Sequence, residues 1–263
     1  MKRTISIFLI LLCACAYSLP MLGWGQEGHR IIAKIAYDNL NKKARKQVDK
    51  ILGNGGIVAW ANWPDEIKSD TIFPNSHDWH YQDFENKMTA EEMQYARTHY
   101  PTEGGNLFRA LDSLETVLKA GQGDKYTLCF LIHLKGDEYC PVHLAHMSDK
   151  GGNAVKMKWF GRETNLHSVW DTKLIESQGY SYTEYADMLE KRYSTKGLNK
   201  QILDAEDWTV AWRTKGLTDC IYKYQETWDG NTYHYIYHMK AYMEFQLYIA
   251  GIRLAGLLNS IYK

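Results

Sequence analysis

Apolar residues recur every three or four positions along most of the chain, the spacing that gives a helix one buried face. In "GHRIIAKIAYDNL" the stripe is Ile31, Ile32, Ile35 and Ala36. In "GNLFRALDSLETVLKAG" it is Leu107, Leu111, Leu114 and Leu118, with Gly121 as the stop. "KYTLCFLIHLKGDEY" is apolar nearly all round at first, which marks a central helix. "HYIYHMKAYMEFQLYIAGIRLAGLLNSIY" predicts a long C-terminal helix. The period changes in "AVKMKWFG", where Val155, Met157 and Trp159 alternate with polar residues as in a strand. No internal repeat, low-complexity stretch or Pro/Ser-rich linker interrupts the pattern. The expected fold class is all-α: a single compact helical domain with a small β-hairpin excursion near residues 153–166.

The first residues follow a different pattern. Lys2 and Arg3 precede a short apolar run from Ile5 to Ala16, and "SLPMLG" follows as a cleavage region. Residues 1–23 are therefore expected to be a signal peptide and residues 24–263 the mature catalytic domain, exported to the periplasm or the medium. "LCAC" offers a minor alternative, a lipoprotein anchored at Cys15. The apolar run is too short for a membrane span. The formal net charge is zero, so electrostatic capture of a polyanion by the whole surface is excluded. Outside the leader only Cys129, Cys140 and Cys220 remain, too few for a disulfide framework. No stable protein partner is expected, and the chain should be a monomer.

One stretch, "FLIHLKGDEYCPVH", breaks the logic of a core helix. Its buried-looking start carries His133 and then Asp137, four residues apart and so on one helical face. Pro141 ends the helix and lets His143 face the same cavity from another direction. His167 and Asp171 in "NLHSVWDT" repeat the spacing. Imidazole and carboxylate are the donors expected of a zinc site with open catalytic positions. A lone H-x3-D is ordinarily a charge pair on a helix surface. Two such pairs, with His143 and "GGN" (Gly151, Gly152, Asn153) between them, favour metal. Upstream lie Trp24 and His29 in "WGQEGH", Asp65 and Lys68 in "WPDEIK", and His80, Tyr81 and Asp83 in "DWHYQD".

Taken in this order, the pieces resemble the S1/P1 nuclease family of the phospholipase C/P1 nuclease superfamily. The pieces are W24-G-x3-G-H29, W63-x-D65-E66, H80-Y-x-D83, F130-L-I-H133-x3-D137, P141-x-H143, G151-G-N153 and N165-L-H167-S-x-W170-D171. Each is weak alone; the ordered set is specific. The resemblance implies three zinc ions per chain. Asp65, His80, His133 and Asp137 would hold one, and His143, His167 and Asp171 its close partner. His29, Asp137 and the amino group and carbonyl of Trp24 would hold the third. The Trp24 amine exists only once the leader is removed. The resemblance also implies a zinc-dependent endonuclease that cleaves single-stranded DNA and RNA to 5′-phosphates, with 3′-nucleotidase activity as an accompaniment. Asp65, Lys68 and Asp137 are the expected catalytic residues, Lys68 through contact with the phosphate.

Tyr81 is placed to stack on a base, Asp83 to bond its edge, and Gly151, Gly152 and Asn153 to approach and read it. Core packing, a structural cap and a plain turn are the bland alternatives for these three features. His77, His99 and His146 are expected at the surface or behind the site, and His234 and His238 on a helix surface. Two other functions compete. One is a zinc phospholipase C, disfavoured by the five-residue step from Trp24 to His29 and by H-x3-D rather than H-x3-E. The other is a non-catalytic zinc-binding protein, which would leave Lys68, Tyr81 and Asp83 without a purpose. The cysteines do not reproduce the paired cysteines of fungal members, and "HLAHMSDKGGN" is longer than their connection.

Overall fold

The computed structural model describes residues 24–85 and 87–263. The leader and Cys15 lie outside the described residues. Gly25 is the N-cap of α1 (Gln26–Asp38), whose buried face holds the expected Ile31, Ile32, Ile35 and Ala36. The Asn41 side chain accepts the Ala44 N–H at the start of α2 (Lys42–Leu52). Two short helices follow, α3 (Gly56–Trp60) and α4 (Trp63–Glu66), the latter opened by Pro64. A 3-10 turn (Ser76–His80) leads to α5 (Ala90–His99), which starts on a Thr89/Glu92 capping box. α6 (Leu107–Lys119) buries Leu107, Leu111 and Leu118 and leaves Leu114 half-buried. Asp124 caps α7 (Lys125–Asp137), which is buried without a break from Leu128 to Asp137.

The expected hairpin consists of β1 (Lys156–Trp159) and β2 (Arg162–Asn165), antiparallel with Trp159 opposite Arg162. Met157 and Trp159 point inward and Lys156 and Lys158 outward, as the alternation requires. The chain continues through α8 (Leu166–Ser168), a π-helical turn (Val169–Lys173) and α9 (Leu174–Glu176). It ends with α10 (Tyr182–Tyr193), α11 (Lys196–Asp204), α12 (Asp207–Thr227) and the long α13 (Thr232–Ile261). The fold is thus all-α apart from this excursion. Among the described residues no helix is long and apolar enough to cross a membrane.

α7 lies at the centre, packed by α1, α3, α4, α6 and α13. Its two polar faces are handled differently. Lys135 and Glu138, both buried, pair at 2.5 Å, and Arg97 and Asp207 extend the cluster at 3.4 Å to Glu138 and to Lys135 respectively. Arg253 closes it by pairing with Asp207. Charges removed from water are tolerable only when matched in this way. His133 and Asp137 face the other way.

α1 and α13 cross closely at Gly251. A Cβ there would sit 2.6 Å from both Cβ and Cγ2 of Ile35. Alanine would gain about 1 kcal/mol of helix propensity, but the overlap involves the base of a buried branched side chain and cannot be relieved by rotation. We expect Gly251→Ala to lose about 1–3 kcal/mol net, measured by urea unfolding of the metal-loaded protein. A gain in stability would show that the two helices can part.

Candidate metal centre

Local structure brings the expected donors together from six places in the chain, the first being α1 with His29, just after Trp24. α7 supplies His133 and Asp137, one turn apart on its buried face. The short α4 supplies Asp65, and the last residue of the 3-10 turn supplies His80. The 3-10 turn Pro141–His143, locked by the Thr218 hydroxyl donating to the Pro141 carbonyl at 2.6 Å, supplies His143. α8 and the π-helical turn supply His167 and Asp171; such turns are frequent at functional sites.

Four donor atoms form one tight set. His80 Nδ1 lies 2.9 Å from Asp137 Oδ2 and 3.7 Å from Asp65 Oδ1. His133 Nε2 lies 3.2 Å from His80 Nδ1, 3.3 Å from Asp65 Oδ1 and 3.4 Å from Asp137 Oδ2. Donors held at about 2.0–2.1 Å around a tetrahedral zinc are separated by about 3.3 Å. The other oxygen of Asp137 turns elsewhere: Oδ1 is 3.4 Å from His29 Nε2 and 3.3 Å from His143 Nδ1. Asp137 therefore faces two neighbouring sets at once, as a bridging ligand must. His143 and His167 stack at 5.4 Å between ring centroids. Trp24 is fully buried and is pinned beside Asp171 by the Gly25 N–H donating to the Asp171 carbonyl at 2.6 Å.

Backbone carbonyls fix two of the imidazoles. His133 Nδ1–H donates to Ala61 O at 2.6 Å, and His167 Nδ1–H to Gly151 O at 2.7 Å. Each bond leaves Nε2 free to bind an ion, the usual support for a metal-bound histidine. His29 Nε2, His80 Nε2, both nitrogens of His143, His167 Nε2, both oxygens of Asp65, Asp137 Oδ1 and Asp171 Oδ1 are buried without a hydrogen-bond partner. Nearly all buried polar groups in folded proteins have partners. So many orphans converging on one place fit cations as the missing partners.

The electrostatics agree. Burial pulls His29 and His80 down to about 4 and, with His143 nearby, His167 down to about 3, so these imidazoles are neutral donors. For His133 burial works downward, but Asp65 and Asp137 outweigh it and raise the value. Burial likewise opposes the ionisation of Asp65 and Asp137, yet the surrounding imidazoles hold both well below the carboxylate range. Burial and the neighbouring Asp65 push Asp171 well above it. A cation beside Asp171 would restore its charge.

A cleft of about 510 Å³ opens beside His143 and His167, lined also by Tyr81, Asp83, Gly151 and Asn153. Four of the five expected substrate-binding residues thus share its wall. The fifth, Gly152, lies behind it, donating its N–H to Asp149 Oδ1 at 2.6 Å. Gly151 has φ +64°, and a Cβ there would meet Val142 O at 2.8 Å. Asp83 is buried, accepts the Ala145 N–H at 2.9 Å, and has its carboxyl pushed up to about 7 by that burial. Lys68 sits 2.6 Å from Asp65 Oδ1. His77 lines the cleft mouth, whereas His146 packs on Tyr222 with ring centroids 4.1 Å apart.

Sequence reasoning missed three features. Lys150 and Met147 also line the cleft. Gly104 and Gly105 back Tyr81 and Asp83 so closely that a Cβ would fall 2.2 Å from Asp83 O or 2.1 Å from Tyr81 O. The "GG" pair was the available signal. Cys140 completes a compact group with His143 and Asp171, and the C-P-x-H spacing could have shown it.

A family model described as S1/P1 nuclease matches residues 24–263. The chain belongs to the S1/P1 nuclease family. Among its relatives, endonuclease 2 of Arabidopsis thaliana is 26% identical, with 97% of each chain covered. Endonuclease 4 of the same plant is 28% identical over 92% of this chain and 90% of that one. Nuclease S1 of Aspergillus oryzae is 28% identical over 71% of this chain and 69% of its own. As an S1/P1 nuclease the chain is a hydrolase of phosphodiester bonds, and its His/Asp groups can hold the metal on which that family depends.

Because many of the donor atoms have no hydrogen-bond partner within the protein, metal should stabilise the S1/P1 fold itself. Chelation is expected to lower the thermal midpoint and zinc to restore it. With zinc at a thousandfold its Kd the gain is about 4 kcal/mol. Asp137→Asn should lose most of that increment in differential scanning fluorimetry. An unchanged midpoint after verified metal removal would contradict this.

Proposed function

We propose that the mature chain, beginning at Trp24, is an exported, monomeric endonuclease with three zinc ions. It cleaves single-stranded DNA and RNA to 5′-phosphorylated products, with 3′-nucleotidase activity at the same centre. One observation carries the reading: His143 and His167 belong both to the partnerless donor set and to the wall of the cleft. A base held there places its phosphate at the donors.

Asp65, His80, His133 and Asp137 would hold the first ion, His143, His167 and Asp171 the second, and His29, Asp137 and the Trp24 main chain the third. Bound zinc supplies positive charge to the phosphoryl oxygens and lowers the pKa of the attacking water. The protein does the rest by positioning. Tyr81 offers its face to a base and is steadied by its hydroxyl donating to Asp78 Oδ1 at 3.2 Å. The Asp83 carboxyl meets the base edge. Lys68, paired with Asp65, stands ready to share its charge with an incoming phosphate. A base must leave its stack to enter such a cleft, which favours single strands over duplex. The phospholipase alternative would use the same donors, but it assigns no role to a base-sized cleft with an aromatic and a carboxyl on one wall.

The test is nucleotide release from single-stranded DNA and RNA by protein starting at Trp24. It is run as purified, after chelation and after zinc is restored, with phosphatidylcholine hydrolysis alongside. Zinc-dependent release of 5′-nucleotides with little lipid turnover is expected; no cleavage by the zinc-loaded protein would overturn the reading. Tyr81→Ala should lower kcat/KM on single strands about 5- to 150-fold, since one stacked base is worth about 1–3 kcal/mol, with zinc content unchanged. A chain carrying one extra residue before Trp24 should lose one zinc ion by elemental analysis, because its α-amine is no longer available to the metal.

A further inference from the structure

Cys140 has no role in the assignments above, yet its position is specific. It lies three residues past the end of α7, its N–H donating to Asp137 O at 2.9 Å. Its backbone is extended, as a residue before proline prefers. It is the N-cap of the Pro141–His143 turn, and His143 N–H donates back to Cys140 O at 3.0 Å. The Cys140 sulfur, a His143 nitrogen and an Asp171 oxygen all lie within 4.8 Å of one another, and all three residues are buried. Both nitrogens of His143 and Asp171 Oδ1 have no hydrogen-bond partner. Cys140 is a free cysteine, as are Cys129 and Cys220.

We propose that Cys140 is a sulfur ligand of the ion held by His143, His167 and Asp171, giving this chain a mixed nitrogen, oxygen and sulfur site. The inference rests on reading His143 and Asp171 as metal ligands. Coordination breaks the S–H bond, sends the proton to solvent and gives a sulfur lone pair to the metal. A fourth protein donor does not close the site, because zinc can expand to five ligands. A thiolate also adds one negative charge to the donor set and turns it toward softer metals. The competing role for a buried cysteine is that of a small apolar side chain.

The test loads the metal-free protein with Co²⁺, whose thiolate complexes absorb through sulfur-to-metal charge transfer. The wild type is expected to show that band, and Cys140→Ser to lose it while keeping the weaker d–d bands of the remaining donors. Cys129→Ser and Cys220→Ser should retain it. X-ray absorption of the zinc-loaded wild type needs no variant, and should show a zinc–sulfur shell at about 2.3 Å. Metal uptake should release more protons from the wild type than from Cys140→Ser. Cobalt bound with d–d bands but no sulfur band, or a band that survives Cys140→Ser, overturns the proposal and leaves the His/Asp centre standing. No cobalt binding at all overturns both.

Discussion

A fully buried carboxylate, Asp137, faces four imidazoles within 3.4 Å: His29 and His143 through one oxygen, His80 and His133 through the other. Such a group is costly to bury unless its charge is met and its lone pairs are used. Within the protein they are not all used, since Oδ1 has no hydrogen-bond partner. The surrounding architecture follows from this. α7 must be central, so that its carboxylate is reached from several sides. The chain must turn back at Pro141 to bring in His143. α1 must pack tightly enough to stack His29 on His133, ring centroids 3.6 Å apart.

The opposite side of α7 solves the inverse problem. Lys135 and Glu138 are as deeply buried as the ligands, but they are matched within the chain by Arg97, Asp207 and Arg253. One helix therefore carries a self-neutralised face and a face that needs cations from outside. The contrast separates scaffold from site without reference to any relative: on one face each charge meets an opposite charge from the chain, and on the other several imidazole and carboxylate atoms have no hydrogen-bond partner.

The helices and the hairpin were legible because they are local. Periods of three to four and of two are written directly into "GHRIIAKIAYDNL" and "AVKMKWFG". The candidate donors were legible because H-x3-D puts two of them on one face, and because the ordered pieces resemble a family. What escaped was long-range. Lys135 and Glu138 look like an ordinary surface pair until Arg97, Asp207 and Arg253 arrive from three other helices. Gly104 and Gly105 look like a plain turn until they meet Tyr81 and Asp83. Cys140 looks like a leftover thiol until the π-helical turn places Asp171 beside it.

The residues that line the cleft are held to different degrees. Tyr81 to Asp83 are fastened on several sides, one of them to the candidate donor His143. Gln82 N–H donates to His143 O at 2.9 Å, Asp83 N–H to Gly104 O at 2.6 Å, and the Tyr81 carbonyl accepts the Leu107 N–H at 3.2 Å. Met147 is half-buried, its N–H donating to Phe84 O at 3.4 Å, and Lys150 is exposed on a tight turn. A shift of the backbone at Tyr81 to Asp83 is transmitted to His143, whereas a change of side chain at the exposed Lys150 alters chiefly the surface of the cleft. Position 150 is thus where the sequence can drift most freely without moving the donors.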